Sequence, residues 1–326
     1  MYYEKVIMKK IFTILLFIIC NSVFGQQIAN WSSYYENGFI WNPALTAKWS
    51  STEVSLTHAQ EWVGFAGAPQ YSSLGLQIPI VKYGKMVRSS IGGFIDYDKA
   101  GPLSKLSLNL TYGYHFSPQL FGYNEDYLSI GFGVQAGRYK FDPSDLTAYD
   151  GIIGEPNLKD ASTASIKPNA TIGIFYKSSG SYEMQSHFYI GLTGNQLFPG
   201  RIFNERDLRT SPHATVHFGY RKVNQGSTSF IEPNLMVMYA FKKAIHAMAS
   251  IRYEIDRKFW LAGGGATNGE VFLQTGVILD ENSFLSSLVG DGMIRIGIKG
   301  DYMISKLGSE SGLGYEGYIA YVIELN

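Results

Sequence analysis

The sequence predicts an all-β fold, a transmembrane antiparallel β-barrel of about fourteen strands with an N-terminal periplasmic or lumenal segment before it. Three observations carry this. Long stretches alternate apolar and polar residues with period two. Many are about 10–14 residues long, enough for a tilted membrane crossing and longer than the usual globular strand. Between them lies no segment of helical period, which excludes an α/β fold.

The stretch 104–116, SKLSLNLTYGYHF, shows the alternation without an error. Leu106, Leu108, Leu110, Tyr112, Tyr114 and Phe116 share one face; Lys105, Ser107, Asn109, Thr111, Gly113 and His115 share the other. Residues 128–137 repeat it, with Leu128, Ile130, Phe132, Val134 and Ala136 opposed by Ser129, Gly131, Gly133, Gln135 and Gly137. Read this way, the strands fall at 52–60, 70–80, 88–98, 103–116, 126–139, 167–178, 184–197, 211–223, 228–242, 244–256, 258–267, 269–280, 291–304 and 313–325. The apolar face carries Leu, Ile and Val with Tyr or Phe toward its ends, as a lipid-facing band with aromatic girdles requires. The polar face is rich in Gly, Ser and Thr, which suit a crowded or wet interior. Closure would also remove the edges that so many long strands would otherwise expose. A soluble β-sandwich is the alternative that alternation leaves open.

The first residues read as a secretory signal. Lys9 and Lys10 precede an apolar run from Ile11 to Ile19, and Val23-Phe24-Gly25 offers a cleavage site after Gly25. The run is too short to span a bilayer as a helix. Residues 1–25 are thus expected to be a signal peptide, 26–51 an N-terminal segment that could plug the lumen, and 52–326 the barrel, in the outer membrane. Cys20, the one cysteine, lies inside the signal, so the mature chain has neither disulfides nor thiolate chemistry. Removing Glu4, Lys5, Lys9 and Lys10 leaves the neutral chain with a mature charge near −2, no electrostatic case for nucleic acid. The loops set an orientation. With both termini in the periplasm, the long connections 140–166 and 198–210 and the Trp62–Pro69 loop face outward, while short ones such as Val81–Val87 and Asn224–Ser227 face inward.

Catalytic and metal chemistry find little support. His115, His187, His213, His217 and His246 all fall on the polar face. Four residues along a strand span about 13 Å, so His213 and His217 cannot share one ion. Arg221, Arg252, Glu254, Asp256, Arg295, Lys299, Asp301, Glu316 and Glu324 also fall on that face, with both signs present, which suits mutual pairing in a filled lumen. A hydrolase needs a nucleophile, a base and an orienting group, and no G-x-S-x-G motif occurs. Gly263-Gly264-Gly265 is followed by neither a helix nor Lys-Ser/Thr, so it is no phosphate loop. The expectation is a protein that is not an enzyme and uses no cofactor or metal.

The N-terminal third holds the remaining signal. The aromatic segment WSSYYENGFIWNPA at 31–44 is followed by a polar strand, then W-x-G-x-x-G-A-P at 62–69, then a strand that ends at Pro79. Pro43 biases Asn42 toward an extended conformation and stops any helix before it. Gly64 and Gly67 let the loop bend, and Trp62 and Phe65 offer apolar anchors too large to leave in water. A hairpin that rims the membrane would also use such aromatics. The order of these parts resembles the PorP/SprF family, outer-membrane proteins of the type IX secretion system of Bacteroidetes. The matching residues are Asn42, Pro43, Ala44, Trp62, Gly64, Gly67, Ala68 and Pro69. Thr46-Ala47 and Glu61 depart from the family's pattern, and the end Leu325-Asn326 lacks the usual terminal aromatic. The resemblance implies a barrel that supports secretion or surface attachment of a partner through the partner's C-terminal domain, as for gliding adhesins. It also implies contact with other type IX secretion components and with outer-membrane lipid. The residues expected to meet the partner are Trp62, Gly64, Phe65, Gly67 and Pro69. An N-terminal Asn-Pro-Ala is also similar to the fatty-acid transporter barrels, in which such a segment is a lumenal hatch. That keeps open a channel or hydrophobic-solute transporter.

Overall fold

The computed structural model describes residue 34 and residues 36–47, 51–83, 86–120, 126–143, 162–178, 185–203, 208–241, 244–281, 286–304 and 312–324. The signal peptide, the greater part of the 140–166 connection and the terminal Leu325-Asn326 lie outside these residues, as do the side chains of Val81–Val87 and Glu324.

Fourteen strands make up the wall: β1 (Ser51–Gln60), β2 (Gln70–Tyr83), β3 (Met86–Ala100), β4 (Leu103–Phe116), β5 (Tyr127–Phe141), β6 (Lys167–Lys177) and β7 (His187–Asn195). The second half is β8 (His213–Val223), β9 (Phe230–Ala240), β10 (Ala244–Ile255), β11 (Phe259–Ala266), β12 (Glu270–Leu279), β13 (Met293–Met303) and β14 (Leu313–Glu324). Each pairs antiparallel with its sequence neighbours, and β14 returns to β1 in continuous register from Ser51↔Glu324 to Gln60↔Tyr315. The sheet is therefore closed, which overturns the sandwich alternative. A two-residue strand, Ser162–Thr163, extends the end of β5.

The faces are sorted as the alternation requires. On β4, Ser107 is 1% exposed and Leu108 50% exposed, and the same inversion continues to Thr111 and Tyr112. Small polar groups are buried while leucines stand outside, the reverse of a soluble barrel. Only a hydrocarbon surround makes that arrangement favourable. Exposed tyrosines form a girdle at each end: Tyr114, Tyr220, Tyr253 and Tyr321 toward the rim that carries the termini, and Tyr97, Tyr239, Tyr302 and Tyr315 toward the other.

Two local features differ from the sequence reading. Strand β2 does not end at Pro79; a register shift between Pro79 and Val81 absorbs the proline, and pairing continues to Tyr83↔Met86. A proline has no N–H for the ladder, so it is tolerated at such a bulge. The connections at the terminus-bearing rim are also less uniformly short than expected, because 117–126 and 280–292 lie there.

Candidate functional site: the seated N-terminal segment and the Trp62 rim

Residues 36–47 lie inside the ring. Gly38–Trp41 form one helical turn that stops before Asn42-Pro43, and Pro43–Leu45 form a 3-10 turn. Asn42 is extended (φ −138°, ψ 109°), as the residue before a proline prefers. Its Oδ1 accepts from the Ala44 N–H at 2.9 Å and its Nδ2 donates to the Ile174 carbonyl at 3.2 Å.

This turn rests on a row of glycines. Gly113, Gly131 and Gly173 are cross-strand partners on β4, β5 and β6. A Cβ on Gly131 would overlap the Pro43–Ala44 backbone, and one on Gly173 would overlap Asn42 Oδ1. On β3, a Cβ at Gly92 would come within 2.9 Å of Thr46 Cγ2, and on β2 one at Gly75 would come within 2.7 Å of the Phe39 ring. The glycines that read only as small lumenal residues are the floor of this seat.

Hydrogen bonds lock it. Ser90 Oγ donates to the Thr46 carbonyl at 2.6 Å and Ser129 Oγ to the Ala44 carbonyl at 2.5 Å. The Ala47 N–H donates to Gln77 Oε1 at 2.7 Å, and Asn37 Nδ2 donates to Thr57 Oγ1 at 2.6 Å. His115 lies between the two serines, with Nε2 2.8 Å from Ser90 Oγ and Nδ1 2.7 Å from Ser129 Oγ. Each hydroxyl has one proton and spends it on a carbonyl. The Tyr127 hydroxyl also lies 2.6 Å from His115 Nδ1. The Ser90–His115 separation is that of a nucleophile and its base. The serine proton, however, points to Thr46, and hydroxyls rather than a carboxylate surround Nδ1.

Apolar and ionic contacts extend the seat around the ring. Phe39 meets Phe94 edge to face at 5.6 Å and packs with Leu45, Tyr127 and Phe175. Trp41 packs with Tyr71, Met236, Met248 and Phe272. Tyr34 O–H donates to Asn234. Glu36 is bound by Arg252 at 3.0 Å and Arg295 at 3.2 Å. Removing one member of such a buried pair typically costs about 3–5 kcal/mol, because the other charge is left in low dielectric.

The lumenal charges pair as expected, with several additions and one correction. Arg221 is 2.5 Å from Glu232, Arg252 bonds Glu254, and Lys299 lies 3.0 Å from Asp301 and 3.6 Å from Glu316. Glu36, Glu232, Glu270 and Asp96 take part, although the sequence reading did not single them out. Asp256 is not lumenal: it is exposed in the turn after β10 at φ +47° and accepts from Ser229 Oγ at 2.9 Å. The five histidines of the polar face are all buried.

At the far rim, the Trp62–Pro69 loop is built from tight turns. The Phe65 N–H donates to the Trp62 carbonyl at 3.0 Å, Ala68 N–H to Phe65 at 3.2 Å, and Glu61 N–H to Pro69 at 3.0 Å. Gly64 and Gly67 take φ of +101° and +76°, conformations that glycine adopts without steric penalty. Trp62 itself sits at +49°, a strained value for a bulky residue. Two neighbours hold the loop: Val63 N–H donates to the Leu313 carbonyl at 2.8 Å, and Gly101 N–H to the Gly67 carbonyl at 2.9 Å. The two aromatics part company here. Phe65 is 49% exposed, whereas Trp62 is half-buried with its indole nitrogen enclosed. Asn42, Pro43 and Ala44 are therefore not brought together with Trp62, Gly64, Phe65, Gly67 and Pro69. Trp41 and Tyr71, two residues after Pro69, belong to one apolar cluster, which lies between the two regions.

A closed ring with a lipid-facing apolar band, paired aromatic girdles and a buried polar inner face defines an outer-membrane β-barrel. The chain belongs to the PorP/SprF family: the family described as "Type IX secretion system membrane protein PorP/SprF" matches residues 23–321. No curated protein matches the chain. Among solved structures, the CymD monoaromatic hydrocarbon channel is similar in fold, with a TM-score of 0.52 and 12% identity over 89% of this chain and 93% of that one. A Pseudomonas aeruginosa FadL homologue (TM-score 0.48, 10% identity) covers 93% of this chain and 96% of its own. The Ralstonia pickettii toluene transporter TbuX (0.49, 10%) covers 89% and 93%.

The glycine seat makes a specific prediction. Gly131→Leu should leave a heat-modifiable barrel but dislodge the Asn42–Ala44 turn, so that a cysteine replacing the buried Thr46 becomes reactive to maleimide in purified protein. Equal, slow labelling with and without the leucine would show that the seat does not hold the segment.

Proposed function

We propose that this barrel supports the secretion or surface attachment of a partner protein, of the gliding-adhesin kind, by engaging that partner's C-terminal domain. The observation that carries the reading is membership of a type IX secretion family across residues 23–321. The rim supports it locally. Val63 and Phe65 are exposed on a loop held by neighbours on both sides, so a partner would meet apolar side chains already fixed in place. In this reading the protein is not an enzyme, the signal peptide is removed after Gly25, and further type IX secretion components are additional partners. The Trp62 rim faces outward. Residues 26–51 serve as a plug, since contacts from 36–47 occupy the lumen. A second reading, a channel or hydrophobic-solute transporter with this segment as its hatch, is favoured by the same seat.

Three measurements test these statements. Ala66→Cys should react with a membrane-impermeant maleimide on intact cells, whereas Gln225→Cys on the opposite rim should not; the reverse pattern inverts the orientation. In planar bilayers the mature protein should conduct little until residues 26–47 are deleted. A large steady conductance from the intact chain would favour the channel reading.

The loop is tested by Trp62→Ala combined with Phe65→Ala. An interface hot spot typically costs about 2 kcal/mol or more on truncation, roughly a thirtyfold loss of affinity. The double variant should reach the membrane at normal abundance while surface display of its secreted partner falls sharply. Normal display at normal abundance would remove the loop from the interface. A fall in both together would assign these aromatics to membrane rimming instead.

A further inference from the structure

Among the described residues, the outward face of the strands carries charge at one place near the Trp62 rim. Lys99 on β3, and Arg138 and Lys140 on β5, are exposed and point away from the lumen. They are in phase with Ile95 and Tyr97 on the first strand and with Phe132 and Val134 on the second. Strand β4 lies between. Its register sets Lys99–Ser104–Lys140 in one row and Tyr97–Leu106–Arg138 in the next row toward the membrane. Neighbouring strands are about 4.8 Å apart, and two residues along a strand span about 7 Å, so the three long side chains can meet over Ser104 and Leu106. Lys140 is also within electrostatic reach of Tyr97, across β4. Lys140 pairs with Asp142 at 2.7 Å, but both are well exposed, and such a pair contributes little. Among the described residues neither Lys99 nor Arg138 has an ion-pair or hydrogen-bond partner.

Their depth names the ligand. Arg138 shares the row of Tyr97, a girdle tyrosine, so these side chains stand at headgroup level. A lipid-facing charge costs far less there than at the bilayer midplane. Cations that merely anchored the rim would recur around it. The opposite arc instead ends in Tyr239, Phe241, Ile245, Val271, Ile304 and Leu313, all exposed aromatic or aliphatic side chains. A one-sided cluster of Lys and Arg is the pattern that reads anionic headgroups: Arg offers phosphate a fork of donors, and Lys adds a point charge. We propose that this patch binds a phosphate of the phosphorylated glycolipid of the outer leaflet. Lys99, Arg138 and Lys140 clamp the phosphate, and the exposed Leu106 and Leu108 below them meet the acyl chains. The site rests on the outward orientation of the Trp62 rim and is independent of the secretion reading.

The test uses the full mature barrel in detergent, titrated with lipopolysaccharide lacking O-chains and with the same glycolipid dephosphorylated, and read by native mass spectrometry. Saturable binding of the phosphorylated form is expected. It should weaken at least tenfold on dephosphorylation and in Arg138→Gln combined with Lys140→Gln. Lys222→Gln, which removes an exposed cation at the other rim, should leave it unchanged. If the double variant does not fold, the dephosphorylated lipid on the native chain carries the comparison. Equal binding of the two glycolipids, unchanged affinity in the double variant, or an equal loss in Lys222→Gln overturns the site. Phosphatidylglycerol binding as tightly would reduce it to a general response to anionic lipid, and displacement by inorganic phosphate to a free-anion site; either withdraws the glycolipid. Inversion of the Ala66 and Gln225 labelling pattern would also withdraw the glycolipid while phosphate-dependent binding in detergent persists, so failure of the orientation and failure of the patch are distinct.

Discussion

The pairing of β1 with β14 is the contact on which everything else depends. In hydrocarbon there is no water for an unpaired backbone N–H or carbonyl, so a sheet can cross only if it has no edge. Ten consecutive residue pairs from Ser51↔Glu324 to Gln60↔Tyr315 make that closure. Once the ring is closed, each strand must present one face to lipid and the other to a confined space, and the period-two pattern follows.

The confined face then meets a second constraint. A lumen lined by Arg221, Glu232, Arg252, Glu254, Lys299 and Glu316 has to satisfy these charges without bulk water. The strands do part of this among themselves. Glu36 does another part, from a segment that belongs to no strand. The carbonyls of Ala44 and Thr46 likewise find their donors in Ser129 and Ser90 rather than in a backbone ladder. Segment and wall therefore complete one another's hydrogen bonding.

This division explains what was legible in the sequence. Side-chain period is a local property, so all fourteen strands and the lumenal side of His115 or Arg252 could be read residue by residue. Asp256 was misplaced because alternation runs on past the point where the backbone enters a turn. The seat was not legible, because Gly131 and Gly173 are distinguished from other strand glycines only by a turn more than eighty residues upstream. Glu36 gave no signal either, since Arg295 lies 259 residues away. At the rim, the identities of Trp62 and Phe65 marked both as anchors, but their unequal exposure is a property of the folded loop, in which Trp62 takes a φ of +49°.

The position of residues 36–47 has a mechanical consequence. A hoop held only along its circumference resists stretching but flattens easily into an ellipse. Here Asn42 and the serine contacts grip β3, β5 and β6, while Glu36 and Tyr34 grip β9, β10 and β13 on the opposite arc. The segment is a spoke. It ties together walls that share no ladder and fixes the cross-section, so that a load applied at one rim is carried across the diameter as well as around the ring.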